Sequence, residues 1–292
     1  MSGVPAPSPE RASAGRTAER SGRDVAALRR RGAVPWPLGV PAALGVAFLL
    51  VPLLALLVRA PWSRMGQVLA DAAVLDALRL SLLCASGATI VSFVLGVPLA
   101  WFLARGSGRL TSVLRALVTL PLVLPPVVGG VALLLALGRT GLVGEWVYRW
   151  TGFSLPFTVW GVVVAEAFVA MPFLVVTVEG AFRSADPGYE EAAATLGASR
   201  LTTFRRVTLP LVGPSLLAGG VLAFARALGE FGATITFAGS TPGVTQTMPI
   251  KVYLALEDDL DAAVALSVVL LLVSVVVLVA LRDRWLRAGP AA

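Results

Sequence analysis

Five long stretches of this chain carry no charged side chain: Gly32 to Val58, Leu80 to Ala104, Ala116 to Gly138, Val207 to Ala225 and Ala262 to Leu281. A sixth, Trp150 to Val178, is interrupted only by Glu166. Each can cross a hydrocarbon core of about 30 Å, which takes about 20 apolar residues. The pattern predicts an all-α polytopic membrane protein with six transmembrane helices. A composition of 57% hydrophobic and 14% charged residues, with a mean hydropathy of +0.84, lies far from soluble-domain averages and agrees. The first run is too long for the core of a signal peptide and is read as a helix that stays. Residues 1–34 hold no apolar run and mix Ser, Ala, Pro, Gly and Arg, so they read as a disordered cytoplasmic tail ahead of a membrane domain at 35–292.

A net charge of +7 invites a nucleic-acid reading, but the arginines report topology instead. With six spans and a cytoplasmic N-terminus, the inside segments hold seventeen positive residues: seven between Arg11 and Arg31, then Arg105, Arg109 and Arg115, then Arg183, Arg200, Arg205 and Arg206, then Arg282, Arg284 and Arg287. The outside segments hold Arg59, Arg64, Arg79, Arg139, Arg149 and Lys251. Positive residues concentrate on the cytoplasmic side, so both termini are expected inside a cell membrane.

Absences exclude several chemistries. The chain has no His, one cysteine (Cys84, within an apolar run) and one lysine (Lys251) that no glycine-rich phosphate loop precedes. No His-based metal site, disulfide, nucleotide cradle or Ser/His/Asp catalysis is available, and no catalytic residue, metal or cofactor is expected. ATP, where it drives this chain, must bind a separate subunit. A carboxylate-based membrane enzyme would need convergent acids that the sequence does not offer.

Residues 186–210, DPGYEEAAATLGASRLTTFRRVTLP, form a polar insert between two of the oily runs. Asp186 reads as a helix N-cap with Pro187 at the first helical position, and Glu190 and Glu191 suit the positive end of the dipole. Ala192, Ala193 and Ala194 favour helix and leave room for a close partner. Gly197 reads as a C-cap, Ser199 as the start of a second short helix, and Pro210 as the return to the membrane. The spacing of Glu191, Ala192, Ala193, Gly197, Val207, Thr208, Leu209 and Pro210 resembles the EAA loop of ABC-importer permeases. That resemblance implies that residues 186–210 hold a coupling helix, with Glu190, Glu191, Ala192, Ala193, Gly197, Leu209 and Pro210 docking on a cytoplasmic ATPase.

Three further segments, LPLVLPPVVGG (Leu120 to Gly130), GRTGLVGEWVYRWTGFSLPFT (Gly138 to Thr158) and FARALGEFGATITFAGSTPGVTQTMP (Phe224 to Pro249), are similar to the molybdate permease subunits. Sulfate and thiosulfate permeases carry a weaker version. The resemblance runs from about Leu78 to the C-terminus and implies a type I ABC-importer permease for a tetrahedral oxyanion, molybdate ahead of tungstate or sulfate. It further implies a homodimer with two ATP-binding subunits beneath it and an extracytoplasmic oxyanion-binding protein above. No nucleic-acid partner is expected. The extra span at Trp36 to Val58 departs from five-helix relatives.

A path for a dianion should hold it weakly, since several arginines would trap it. Arg226, Glu230, Gly232 and Thr234 are the candidate gate or path residues. Arg226 and Glu230, four apart, are read as sharing one helical face, either as a neutralising pair or with the arginine meeting the anion. Pro121, Pro125 and Pro126 break the third span, either for packing or as a hinge. Gly219 and Gly220 invite close helix approach. Glu166 is either a structural acid or, like Glu230, the proton site of a secondary transporter. The run Glu257, Asp258, Asp259, Asp261 reads as a solvated outer loop or a contact for a basic partner.

Overall fold

The computed structural model describes residues 36–286, and the expected N-terminal tail lies outside them. Contacts divide the chain into residues 1–58 and 59–292. In the first unit the described residues form one helix, α1 (Trp36–Arg59), apolar around its whole circumference with no buried residue in its spanning window. A helix of that kind suits a lipid surround.

The regular elements of the second unit, among its described residues, are all helical, beginning with a 3-10 turn at Trp62–Arg64. Next come α2 (Met65–Ala70), α3 (Ala72–Arg105), α4 (Arg109–Val123), α5 (Pro126–Leu137), α6 (Gly144–Thr151), α7 (Val159–Ser184) and α8 (Gly188–Thr195). After these come α9 (Arg200–Thr203), a π-helical turn at Phe204–Thr208, α10 (Leu209–Leu211), α11 (Gly213–Leu228), α12 (Gly232–Ala238), α13 (Met248–Asp258) and α14 (Leu260–Leu286). Four helices are continuous spans, α1, α3, α7 and α14, and the count reaches six when the bent pairs α4–α5 and α9–α11 are each one span.

The centre is α3, α7 and α11 packed together. Their contact is built from small residues, with Ala85, Ala88, Ala100, Ala170, Ala223 and Ala227 all fully buried. In lipid, helices gain little from hydrophobicity alone, so close backbone approach and dense packing hold them. Gly220 shows how close: a Cβ there would lie 2.6 Å from the Phe93 ring. Both long helices start on side-chain caps, Asp71 accepting from Ala73 N at 2.8 Å and Thr158 from Gly161 N at 3.1 Å. A second cluster joins Val74 and Ala77 of α3 to Met248 of α13 and Leu266 and Val269 of α14.

Three spans differ from the uninterrupted runs. The third is split at Leu124, where the chain bends by 119° between α4 and α5. Leu124 precedes Pro125, which itself precedes Pro126, so two consecutive residues are pushed out of helical conformation. The fourth begins at Val159, because Gly152 in left-handed conformation (φ 69°) closes α6 around Trp150 and Pro156 follows. The fifth bends by 71° at Val212.

Candidate functional site

The polar insert folds as a helix, a bend and a helix. Asp186 Oδ1 accepts from Gly188 N at 2.9 Å, and Glu190 N and Glu191 N donate to Pro187 O at 3.0 Å. α8 ends in a Schellman motif: Ala198 N donates to Ala193 O at 3.0 Å and Gly197 N to Ala194 O at 2.9 Å, with Gly197 at φ 81°. Ser199 then accepts from Thr202 N at 3.3 Å and starts α9.

The two glutamates face different ways. Glu191 is exposed beside Tyr189, and Leu196 and Leu201 are 88% and 64% exposed, a protruding surface with apolar tips. Glu190 turns inward, pairs with Arg105 at the end of α3, and accepts from Thr208 Oγ1 at 2.8 Å. It therefore ties the insert to α3 and to the π-helical turn that leads into the fifth span. Leu209 is half-buried against the main core and Pro210 is exposed. A second carboxylate braces the same end: Arg115 Nε donates to Glu179 Oε1 at 2.8 Å and Arg115 Nη2 to Leu103 O at 3.2 Å, joining α4, α7 and α3.

The candidate gate residues gather where α11 gives way to α12. Glu230 lies past the end of α11, not on its regular face. Its Oε2 sits 2.5 Å from Arg226 Nη2, an ion-pair contact outside hydrogen-bond geometry, and its Oε1 accepts from Ala233 N at 2.8 Å. The carboxylate thus both pairs with the arginine and caps α12. Gly232 abuts the broken third span, since a Cβ there would lie 2.9 Å from Pro126 Cβ. Pro125 is the residue on which α5 starts, and Pro121 lies inside α4, away from the break itself. Thr234 and Glu166 are buried, and their Oγ1 and Oε2 atoms have no hydrogen-bond partner. Among the described residues no group of three His, Cys, Asp or Glu side chains could hold a metal ion.

Residues 96–288 match the family model described as "binding-protein-dependent transport system inner membrane component". The chain belongs to that family. Its inner-membrane components are integral membrane permeases, and this chain is a permease subunit with the all-α fold of an ABC importer. It is 49% identical over 245 residues to the molybdenum transport system permease protein ModB of Mycobacterium tuberculosis, covering 84% of this chain and 92% of that one. It is 37% identical to the sulfate transport system permease protein CysT of Escherichia coli, covering 82% and 88%. The fold matches a solved bacterial ABC transporter that imports the acidic polysaccharide alginate, with a TM-score of 0.70 at 17% identity over 93% of this chain and 100% of that one.

The partners of Glu190 were not found by sequence reasoning: Arg105 lies 85 residues away and Thr208 18 away. One signal was available, an arginine at a helix end facing the same side as an acidic insert.

Proposed function

We propose that this permease carries molybdate inward as part of an ATP-driven importer. The observation that carries the reading is 49% identity to ModB over 84% of the chain, against 37% to the sulfate permease. Two copies would form the path between them, two ATP-binding subunits would sit on the cytoplasmic side, and an oxyanion-binding protein would deliver from outside. Closure of the ATPase pair would pull on the exposed face of α8, and Glu190 would pass that movement to α3 and to the bent fifth span. Both termini would be cytoplasmic, the break at Pro125 and Pro126 would act as a hinge, and Arg226 with Glu230 would form a neutralised gate. Thr234 and Gly232 would belong to the same path.

The test is ATP hydrolysis by the reconstituted complex with its binding protein loaded in turn with molybdate, tungstate or sulfate. Stimulation by molybdate above sulfate is expected. A response to sulfate alone would transfer the assignment to sulfate, and uptake driven by a proton gradient without any ATPase would replace it with secondary transport through Glu166 or Glu230.

A further inference from the structure

A cavity of about 490 Å³ opens at the end of α5, between the turn to α6 and the segment leading into α7. α7 separates it from the coupling insert by about 39 Å at about 1.5 Å per residue. Arg139, Thr140, Tyr148, Ser154 and Phe157 line it, and no carboxylate does. The guanidinium carbon lies over the Tyr148 ring, 4.2 Å from its centre. The attraction of a cation to the ring face holds the guanidinium at this wall, and its N–H donors suit an oxyanion. Among the described residues Arg139 has no carboxylate partner, whereas Arg149 of the adjacent α6 is paired with Glu145 at 2.5 Å. The hydroxyls of Thr140, Tyr148 and Ser154 likewise make no hydrogen bond to protein among the described residues. Four side chains with donor groups therefore line one space, Arg139 and Thr140 exposed and Tyr148 and Ser154 half-buried.

The wall of this space is strained. Phe157 is the one non-glycine residue among those described with a left-handed backbone, φ 62°. Such a conformation costs about 1–3 kcal/mol and persists where the surroundings enforce it, often at binding sites. Its ring presses on Gly239, where a Cβ would stand 3.0 Å from Cδ1. The contrast with the cavity beside α13 is chemical: that one is lined by Asp71, Asp258 and Asp259 around Lys251 and would repel an anion.

We propose that the Arg139 cavity is a tetrahedral-oxyanion site, one fork and three hydroxyls taking a free oxyanion or the phosphate of an anionic lipid. As a site for the transported anion it rests on the molybdate reading above. One cation against a dianion gives weak binding, which is what a permease needs to let its cargo move on. The lipid source has its own support, because α6 presents Trp146 and Trp150, 67% and 81% exposed, as an interfacial helix would.

The experiment uses the full-length chain in nanodiscs, titrated with molybdate and followed by tryptophan fluorescence. In discs of phosphatidylcholine alone, a saturable change is expected with a dissociation constant on the order of 1 mM. Arg139→Gln should weaken it about tenfold, the loss of a bidentate charged contact, and Arg139→Lys should fall between. Thr140→Val combined with Ser154→Ala should weaken it a few-fold. In discs containing phosphatidylglycerol, loss of the molybdate response in the wild type, with lipid that native mass spectrometry finds retained by the wild type and released by Arg139→Gln, assigns the site to a headgroup. An unchanged response assigns it to the free anion. The proposal is overturned where Arg139→Gln binds as the wild type does, or where neither molybdate nor lipid is held. Stimulation of ATP hydrolysis by molybdate is measured separately, so a failed site and a failed substrate assignment give different results.

Discussion

Removing one half of a buried ion pair costs more than removing both halves, and Arg226 with Glu230 offers that comparison. Glu230 is 1% exposed and holds two partners, the arginine and the Ala233 N–H in the first turn of α12. Arg226→Gln strands the carboxylate and should cut uptake by at least roughly an order of magnitude, the arginine being only partly buried. Adding Glu230→Gln should recover most of it, because the amide oxygen can still accept from Ala233 N. A double variant as inactive as the single, at normal expression, would mean that the arginine meets the anion directly. Glu190 makes a different prediction. Glu190→Ala should leave insertion and ATPase binding intact but raise the ATP consumed per anion carried, since the insert would move without pulling α3. Thr208→Val should do the same more mildly, removing a single hydrogen bond worth about 1.5–3 kcal/mol to a charged acceptor. An unchanged ratio in Glu190→Ala would remove the mechanical role. The cap at Ser199 and the pairing of Arg226 with Glu230 were legible because they depend on near neighbours in the chain, although Glu230 lies past the end of α11 and not on a shared helical face. The inward turn of Glu190 was not, because residues far away in sequence decide it.

At the scale of elements, what could be read was where helices stop for local reasons. Gly197 is the clearest case: nothing lies within 4 Å of a Cβ built there, so only its φ of 81° constrains the residue. Gly197→Val should therefore uncouple ATP hydrolysis from uptake through backbone strain of about 1–2 kcal/mol, while Gly197→Asn, which visits that conformation more readily, should keep most activity. Equal loss in both would point to a contact made by this surface with a partner, not to the bend. The split at Pro125 and Pro126 was legible in the same way. The bend at Val212 was not, although Pro210 and Pro214 flank it and each removes a backbone donor. A scan for missing charge sees an unbroken apolar run there, as it does across Trp150, where Gly152 and Pro156 end one helix before the next begins. Charge tells where chain can enter lipid. Conformation decides how it is divided once inside.

For the molecule as a whole, two independent arguments bear on sidedness, and they can be separated by one set of single cysteines in a Cys84→Ala background. The native thiol is fully buried, so its replacement clears the background without exposing a new surface. The fold fixes which positions share a side: the pairing of Arg105 with Glu190 puts Ser107 and Leu196 at one end, and the contact of Phe157 with Gly239 puts Thr151 and Thr241 at the other. All four are exposed. The arginine distribution says which end is cytoplasmic, because long-range tertiary contacts carry no information about the direction of insertion. Thr151→Cys and Thr241→Cys should label in intact cells with an impermeant thiol reagent, and Ser107→Cys and Leu196→Cys should label only after permeabilisation. Labelling of the opposite pair would invert the topology and leave the fold standing. Disagreement within a pair would instead break the fold, since no orientation of this helix packing can put Ser107 and Leu196 on different sides of a membrane.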